Sequence, residues 1–350
     1  MATFKAGLVG VTGYAGMELA RLLAGHEQIE LVRATSRSDA GKTLCELYPS
    51  LTGTCLSELV ITQPDPDDLA QACDIVFMAV PHGTAMDMAA KLLSRNVRVV
   101  DLSADFRLRD ADIYAQWYGL EHREPQLIED AVFGLPELYA DKIKDAKLIA
   151  NPGCYPTSAI LGLYPALKAG IVETDGIVID SKSGTTGAGR GANVGSLFCE
   201  VSDSFRAYNL GKHRHTPEIE QELSAISGED LKISFNTHLL PINRGILSTS
   251  YTRLKKNLQL EDIFGLYSEV YSTAPWVRVL KRGTLPETRW VRGTMYCDIG
   301  LVVDPRTNRL IVVSAIDNLC RGASGQALAN ANLMLGLELS TGLNLAPLVP

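Results

Sequence analysis

Two hydrophobic periods alternate along the first 150 residues. The stretches 3–10, 29–35, 58–62, 74–80, 97–102 and 147–150 are short and nearly continuous in apolar character, whereas 14–25, 66–72 and 83–95 repeat apolar positions every three to four residues. Short continuous runs suit strands buried on both faces, and the longer spacing suits amphipathic helices. Their alternation predicts an α/β, Rossmann-type, doubly wound parallel sheet, with Asp74–Val80 as a central strand. After residue 153 the pattern changes. Long β-patterned stretches at 176–183, 231–254, 291–303 and 309–317 are separated by glycine-rich loops. They predict an α+β catalytic domain on a mostly antiparallel sheet. The stretch 322–339, rich in Ala, Leu, Asn and Gln, reads as one helix. The expected domains are 1–153, completed by a C-terminal helical segment 322–350, and 154–321.

Composition narrows the function. At 350 residues the chain is long for one domain, and its net charge of −7 with a pI near 5.5 offers no basic stripe for nucleic acid. No apolar run is long enough to span a bilayer, and the N-terminus lacks a signal-peptide pattern, so no membrane partner is expected. The seven cysteines are scattered without metal-ligand spacing. They read as reduced thiols of a cytoplasmic protein, with no metal site.

The segment Ile149-Ala150-Asn151-Pro152-Gly153-Cys154-Tyr155-Pro156-Thr157 carries the sharpest chemistry. A strand runs into Pro-Gly, presents one thiol and opens a helix from Pro156 to about Lys168. At a helix N-terminus, unpaired N–H groups and the positive end of the dipole stabilise a thiolate nucleophile. The bland alternative for Cys154 is a buried apolar side chain.

A second motif is Gly10-Val11-Thr12-Gly13-Tyr14-Ala15-Gly16, between the first strand and the first helix. Its glycines let the backbone approach a pyrophosphate at the helix N-terminus. The acidic residue that usually binds a ribose 2′-hydroxyl is missing after the second strand. Thr35-Ser36-Arg37-Ser38 stands there instead, offering hydroxyls and a guanidinium to the 2′-phosphate of NADP. Arg37 as an ordinary surface charge is the alternative. Pro81 and His82 end a central strand at the edge where dinucleotides lie. His82 suits a turn or capping role better than a catalytic one.

Other polar clusters remain. Ser181–Arg190 leaves a strand with hydroxyls, glycines and two cations; Lys182 and the backbone could hold an anionic group, or the stretch is a plain surface loop. Gly211-Lys212-His213-Arg214-His215-Thr216-Pro217-Glu218 places two histidines before a helix that Thr216 caps and Pro217 starts. A histidine there suits a general acid or base, and no nearby Cys or carboxylate completes a zinc set. Arg107 follows a strand and could take a substrate carboxylate, or pair with Asp105 or Asp110. Arg244 lies between two apolar strand segments, where an idle charge is costly.

In this order, the glycine fingerprint, NPGCYPT, SKSGTTGAGR, HRHTPEI, PINRGIL and Asp317-Asn318-Leu319 with Gly322-Ala323-Ser324-Gly325-Gln326 resemble the N-acetyl-γ-glutamyl-phosphate reductases of arginine biosynthesis across essentially the whole chain. Ser158 departs from the usual Gly or Ala; all are small. The resemblance implies that Cys154 attacks the γ-carbonyl of N-acetyl-glutamyl phosphate, that NADPH reduces the thioester, and that one of His213 and His215 is the acid/base. It implies that Arg107, Lys182 and Tyr208 anchor substrate and that Gly187, Gly189 and Asn318 line the nicotinamide. A homodimer or homotetramer is the expected assembly. Sister acyl-phosphate reductases and a non-catalytic NADP-binding regulator are the rival readings.

Overall fold

The computed structural model describes residues 3–349. Contacts divide the chain into two units, residues 1–152 with 323–344, and 153–322 with 345–350. The ends of these ranges at 1, 2 and 350 lie outside the described residues.

The first unit carries β1 (Phe4–Val9), α1 (Tyr14–Leu23), β2 (Ile29–Thr35), α2 (Leu44–Leu47), β3 (Ile61–Thr62), α3 (Pro66–Ala72), β4 (Ile75–Met78), α4 (Met86–Leu93), β5 (Arg98–Asp101), α5 (Ala111–Tyr118), α6 (Gln126–Asp130), β6 (Ala131–Phe133), α7 (Pro136–Asp145) and β7 (Leu148–Ala150). Its seven strands pair in the order β3-β2-β1-β4-β5-β7-β6, and every pair is parallel. This is the doubly wound sheet the apolar runs predict. The strand order reverses direction between β1 and β4, and ligands of such sheets bind outside the carboxyl ends at that point. Ile75, Val76, Phe77 and Met78 are all fully buried, as a central strand requires.

Several elements differ from the expected bounds. The strand expected at 58–62 is only Ile61–Thr62, because the chain before it folds as turns. The helix expected at 83–95 begins at Met86: Asp105 accepts the N–H groups of Gly83 (2.7 Å) and Ala85 (3.0 Å) and holds 83–85 as a turn.

The second unit carries α8 (Cys154–Lys168), β8 (Ile177–Gly184), α9 (Phe198–Val201), β9 (Arg206–Tyr208), α10 (Thr216–Ser227), β10 (Ile233–Leu240), β11 (Ile246–Arg253), α11 (Leu260–Val270), β12 (Val277–Val279), β13 (Cys297–Asp304) and β14 (Arg309–Ile316). The strand order is β12-β13-β14-β11-β8-β10-β9, antiparallel except for β12/β13 and β8/β10. The long β-patterned stretch 231–254 is two strands. Gly245, at φ +122° and facing Thr288, makes the break between them. The stretch from 291 yields strand only from Cys297.

α8 docks on this sheet through hydroxyls. Ser158 Oγ lies 3.1 Å from Ser248 Oγ and 2.9 Å from Ser314 Oγ, and Ser248 reaches Ser181 at 2.7 Å. The one departure from the family pattern is therefore satisfied inside the protein. Pro165 within α8 cannot donate to the carbonyl four residues earlier, and the Tyr271 hydroxyl donates to that Leu161 oxygen instead, at 2.5 Å.

The chain returns to the first unit as α12 (Gly325–Met334), shorter than the helix expected over 322–339. Its start is π-helical over Cys320–Ser324, and Gly336 at φ +71° follows its end. From Leu345 the chain groups with the second unit rather than the first. There Arg292 donates to the Leu348 carbonyl from both Nε (3.0 Å) and Nη2 (2.8 Å).

Candidate active site

Cys154 is the first residue of α8, with Gly153 as N-cap, so the helix begins at the thiol itself and Pro156 sits within the first turn. No acidic residue occupies that turn, and the fifteen-residue helix points its positive end at the sulfur. The backbone before it is fully engaged. The Gly153 N–H donates to Glu218 Oε1 at 2.8 Å, and the Gly153 carbonyl accepts from Thr157 N and Oγ1, each at 3.0 Å. Across from the thiol, a Cβ on Gly322 would lie 2.6 Å from Cys154 Cβ, so only glycine lets the two backbones come this close. Cys154 is half-buried.

The next residue organises an aromatic cage. The Tyr155 hydroxyl meets the Tyr208 hydroxyl at 2.8 Å, and the Tyr155 ring packs on His213, His215 and Phe235 at 5.4, 6.0 and 5.5 Å. Burial and the neighbouring Tyr208 raise Tyr155 far above an ordinary phenol, and burial pushes Tyr208 up to about 12. Both remain neutral donors at physiological pH. His213 packs against Phe235 and His215. Burial, with Arg214 beside it, pulls it down to about 4. Its Nδ1 accepts the His215 N–H at 3.1 Å, which leaves Nε2 carrying the proton of the neutral ring. The helix expected to be capped by Thr216 is capped by His215. Thr216 is its first residue and Pro217 its second, and the buried Thr216 hydroxyl has no hydrogen-bond partner.

Three further expected residues, Arg244, Asn318 and Gly187, gather where β11 begins. Asp317, fully buried, receives Arg244 Nη2 at 2.9 Å together with the N–H groups of Gly293, Leu319 and Cys320. Asn318 accepts the Gly245 N–H at 2.8 Å and donates to Thr186 Oγ1 at 3.0 Å, while Gly187 leaves room over Ser183 that a Cβ would fill. Gly189 lies in open space at φ +84°. Lys182 is not brought to this group. Strand alternation puts Ser181 and Ser183 on the face under α8 and Lys182 on the opposite one, where its ammonium pairs with Asp180 at 2.7 Å. His238 stands beside it on that face, 3.1 Å from Asp180 Oδ1 but without hydrogen-bond alignment.

In the first unit, the three fingerprint glycines play different parts. Gly10 at φ +89° would drive a Cβ to 2.4 Å from the Ala79 carbonyl oxygen, and a Cβ on Gly16 would meet the Gly10 oxygen at 2.3 Å. Gly13, the N-cap of α1, faces open space, with nothing nearer than 3.9 Å. This is the cradle a pyrophosphate needs: two glycines that fold the turn and one that leaves the helix N-terminus accessible. Thr12, Tyr14 and Ala15 complete the turn, pinned by Ser324 Oγ on the Ala15 carbonyl (2.7 Å) and by Tyr48 Oη on that of Val11 (3.0 Å). Ser36 Oγ accepts the N–H groups of Ser38 and Asp39 at 3.3 Å, and no carboxylate of the described residues pairs with Arg37. Pro81 ends β4's turn by accepting from Thr84, and His82 Nδ1 accepts the Ala104 N–H at 3.1 Å. Arg107 is buried and donates to the carbonyls of Asn151 (2.7 Å) and Leu102 (2.9 Å), so it braces the end of β7. Asp110 instead caps α5, and Asp105 holds the turn amides.

Sequence reasoning missed Glu218, Tyr155 and Gly322. A carboxylate in a helix's first turn reads as an ordinary dipole partner, and nothing in the local pattern announces that Glu218 reaches the turn before Cys154.

Two buried groups titrate in opposite senses. His213 binds fewer protons folded than unfolded, so its stabilisation is full above its ordinary 6.5 and is lost as pH falls to about 4. That loss is worth roughly 3 kcal/mol. Burial and the neighbouring Asp105 push Asp101 up to about 7 from 3.8, so its stabilisation is full in acid and fades as pH rises through 7. The two largely offset each other in the wild type. With one of the pair removed the other acts alone, so between pH 6.5 and 4 the thermal midpoint of His213→Asn is expected to rise on acidification and that of Asp101→Asn to fall, against a nearly flat wild type. Scanning fluorimetry across that range checks both; identical slopes in all three proteins would contradict it.

Residues 5–146 match the family model described as semialdehyde dehydrogenase, NAD binding domain, and residues 154–318 match semialdehyde dehydrogenase, dimerisation domain. The chain belongs to the semialdehyde dehydrogenase family. Within it, the chain is similar to N-acetyl-gamma-glutamyl-phosphate reductases: 51% identical over 347 residues to that of Desulfotalea psychrophila, covering 99% of each chain, and 51% over 339 residues to that of Pelotomaculum thermopropionicum, covering 97% of each. In fold it is similar to aspartate semialdehyde dehydrogenase II of Vibrio cholerae, with a TM-score of 0.73 at 15% identity over 96% of this chain and 99% of that one. The Candida albicans aspartate semialdehyde dehydrogenase solved with NADP gives 0.70 at 18% over 95% and 99%.

Proposed function

We propose that this chain reduces N-acetyl-γ-glutamyl phosphate to N-acetylglutamate semialdehyde and phosphate, using NADPH and a covalent cysteine intermediate. The observation that carries the reading is Cys154 at the first position of a long helix, its turn held by the buried Glu218 beside two imidazoles. The names of the relatives at about half identity supply the substrate.

The Cys154 thiolate attacks the acyl carbon and expels phosphate, so a C–S bond forms as the C–O bond to phosphate breaks. The first-turn amide of α8 has no intrahelical acceptor and donates to the oxyanion that forms. Bound NADPH would supply a hydride to the thioester carbon, and protonated His215 gives the resulting alkoxide its proton, completing the thiohemiacetal. His215 then takes the hydroxyl proton as the C–S bond breaks, returning the sulfur to thiolate and releasing the aldehyde. His215 suits this better than His213. The latter is held uncharged by burial with Nδ1 already occupied, whereas His215 begins the helix whose Glu218 ties it to the Cys154 turn. We place Arg244 and Tyr208 on the substrate side and Asn318, Gly187 and Gly189 by the nicotinamide; Arg107 acts by bracing Asn151. We further read a homo-oligomer, most simply a homodimer, working in the cytoplasm, a compartment that keeps scattered cysteines such as these seven reduced.

Steady-state assay with phosphate and NADP on N-acetylated glutamate semialdehyde, its unacetylated form and aspartate semialdehyde tests the reading. The N-acetylated aldehyde is expected to win in kcat/KM by at least about a hundredfold. Preference for either competitor would overturn the assignment. Arg37 is proposed to read the 2′-phosphate of NADPH. Arg37→Ala is expected to raise Kd for NADPH roughly tenfold to a hundredfold, leaving NADH within about twofold. Equal losses in fluorescence titrations would show that Arg37 has no part in the choice.

A further inference from the structure

Twelve large apolar side chains are exposed among the described residues, and five fall between 194 and 210: Val194 at 70%, Leu197 at 53%, Phe198 at 82%, Phe205 at 60% and Leu210 at 50%. Isolated exposed apolar residues are ordinary, but a cluster marks an interaction site. Taking about 200 Å2 for a fully exposed phenylalanine, and less for leucine and valine, the five present roughly 500 Å2 of apolar surface.

The segment is built to hold these side chains outward. Asn193 accepts the Gly195 N–H at 2.8 Å and starts the turn Val194–Ser196. Arg206, from β9, donates to the carbonyls of Gly195 and Glu200, drawing the segment back onto the strand. Ser202 N returns to the Phe198 oxygen at 2.8 Å, and Val201 is buried beneath. The polar backbone is turned in and Phe198 is turned out.

We infer that this ridge seats a second copy of the same chain, and that docking there holds β9, with Tyr208, against Tyr155. The inference rests on the homo-oligomer proposed above. Every ridge residue lies within the 154–318 span matched by the dimerisation domain. The crest of Val194, Leu197 and Phe198 carries no charge, so it can pair with its own image about a two-fold axis; a charged crest would repel itself. The roughly 500 Å2 of all five side chains is more than half of the about 800 Å2 per partner that a stable interface buries. β9 is a three-residue edge strand, held on one side by β10 and by Thr237 Oγ1 on the Tyr208 carbonyl at 2.6 Å, with Phe205 and Leu210 flanking it. Whatever covers those two side chains also fixes Tyr208, whose hydroxyl meets the neighbour of the nucleophile.

Light scattering after gel filtration of wild type, Val194→Asp/Phe198→Asp and Phe198→Leu, with kcat measured on each, is the test. Wild type and Phe198→Leu are expected at two copies or more, and the double variant at a single 37.9 kDa chain. The single chain should turn over tenfold to a hundredfold more slowly, with an unchanged KM for NADPH. A monomeric wild type would overturn the homo-oligomer reading and this inference together. A double variant that keeps the wild-type mass would overturn the ridge alone, and a monomeric variant with full kcat would overturn its hold on Tyr208. Should the double variant fail to fold, Val194→Asp alone must still shift the association equilibrium toward single chains, and an unshifted one counts against the ridge.

Discussion

Cys154→Ala is expected to lower turnover of N-acetylglutamate semialdehyde by about 10⁴-fold or more, with Kd for NADPH unchanged within about twofold. The size follows from chemistry: without sulfur there is no thioester, and hydride has no acyl group held in place. No other thiol can substitute. Cys73, Cys297 and Cys320 are buried, and burial pushes Cys73 up to about 12. Cys45, Cys55 and Cys199 belong to four-residue helices or loops without the dipole of α8. Alanine also preserves the fold at this point, because the close contact with Gly322 is made by the Cβ that alanine keeps. The glycine turn proposed to hold NADPH belongs to the other unit and is untouched. Steady-state rates with a parallel NADPH titration check both halves. Turnover within tenfold of wild type would remove the covalent mechanism.

His215→Asn is expected to cost roughly 10²- to 10³-fold in kcat, and His213→Asn about tenfold or less. Asparagine can still accept hydrogen bonds but moves no proton, so the difference isolates acid–base work. A neutral His213 serves the cage as a ring and as the acceptor for the His215 amide, and asparagine replaces part of that role. Loss of His215 should also remove an ionisation from the pH profile of kcat, which a purely structural defect would not do. If the ranking is reversed, His213 is the proton carrier despite its burial.

The Rossmann half was legible because its signals are local. β1, the glycine turn and α1 are contiguous, and a doubly buried strand such as β4 needs apolar residues at every position. β6 (Ala131–Phe133) escaped because its three residues follow the acidic Glu129-Asp130 with no turn signal before them, whereas the equally short β7 runs through Asn151 into Pro152-Gly153. The break in 231–254 was marked in the sequence only by Arg244 between two apolar segments, and the turn Pro241–Gly245 is too short to give the bounds of the two strands. Cys154 could be placed at a helix start from Pro-Gly-Cys alone. Its partners could not, since Glu218 and Gly322 reach it from 64 and 168 residues away and a sequence shows no such closure. Lys182 shows the reverse. Ile177, Ile179, Ser181 and Ser183 alternate inward, and counting by twos puts Lys182 on the other face, so the signal was present in the pattern itself.

The whole account turns on an acyl group passing through sulfur at residue 154. Peptide mass spectrometry after acid quench of the enzyme with N-acetyl-γ-glutamyl phosphate, in the absence of NADPH, tests it most directly. An N-acetylglutamyl adduct confined to the peptide bearing Cys154, and discharged when NADPH is added before the quench, is the predicted result. An unmodified Cys154 peptide, or an adduct on another residue that NADPH discharges equally well, would contradict it.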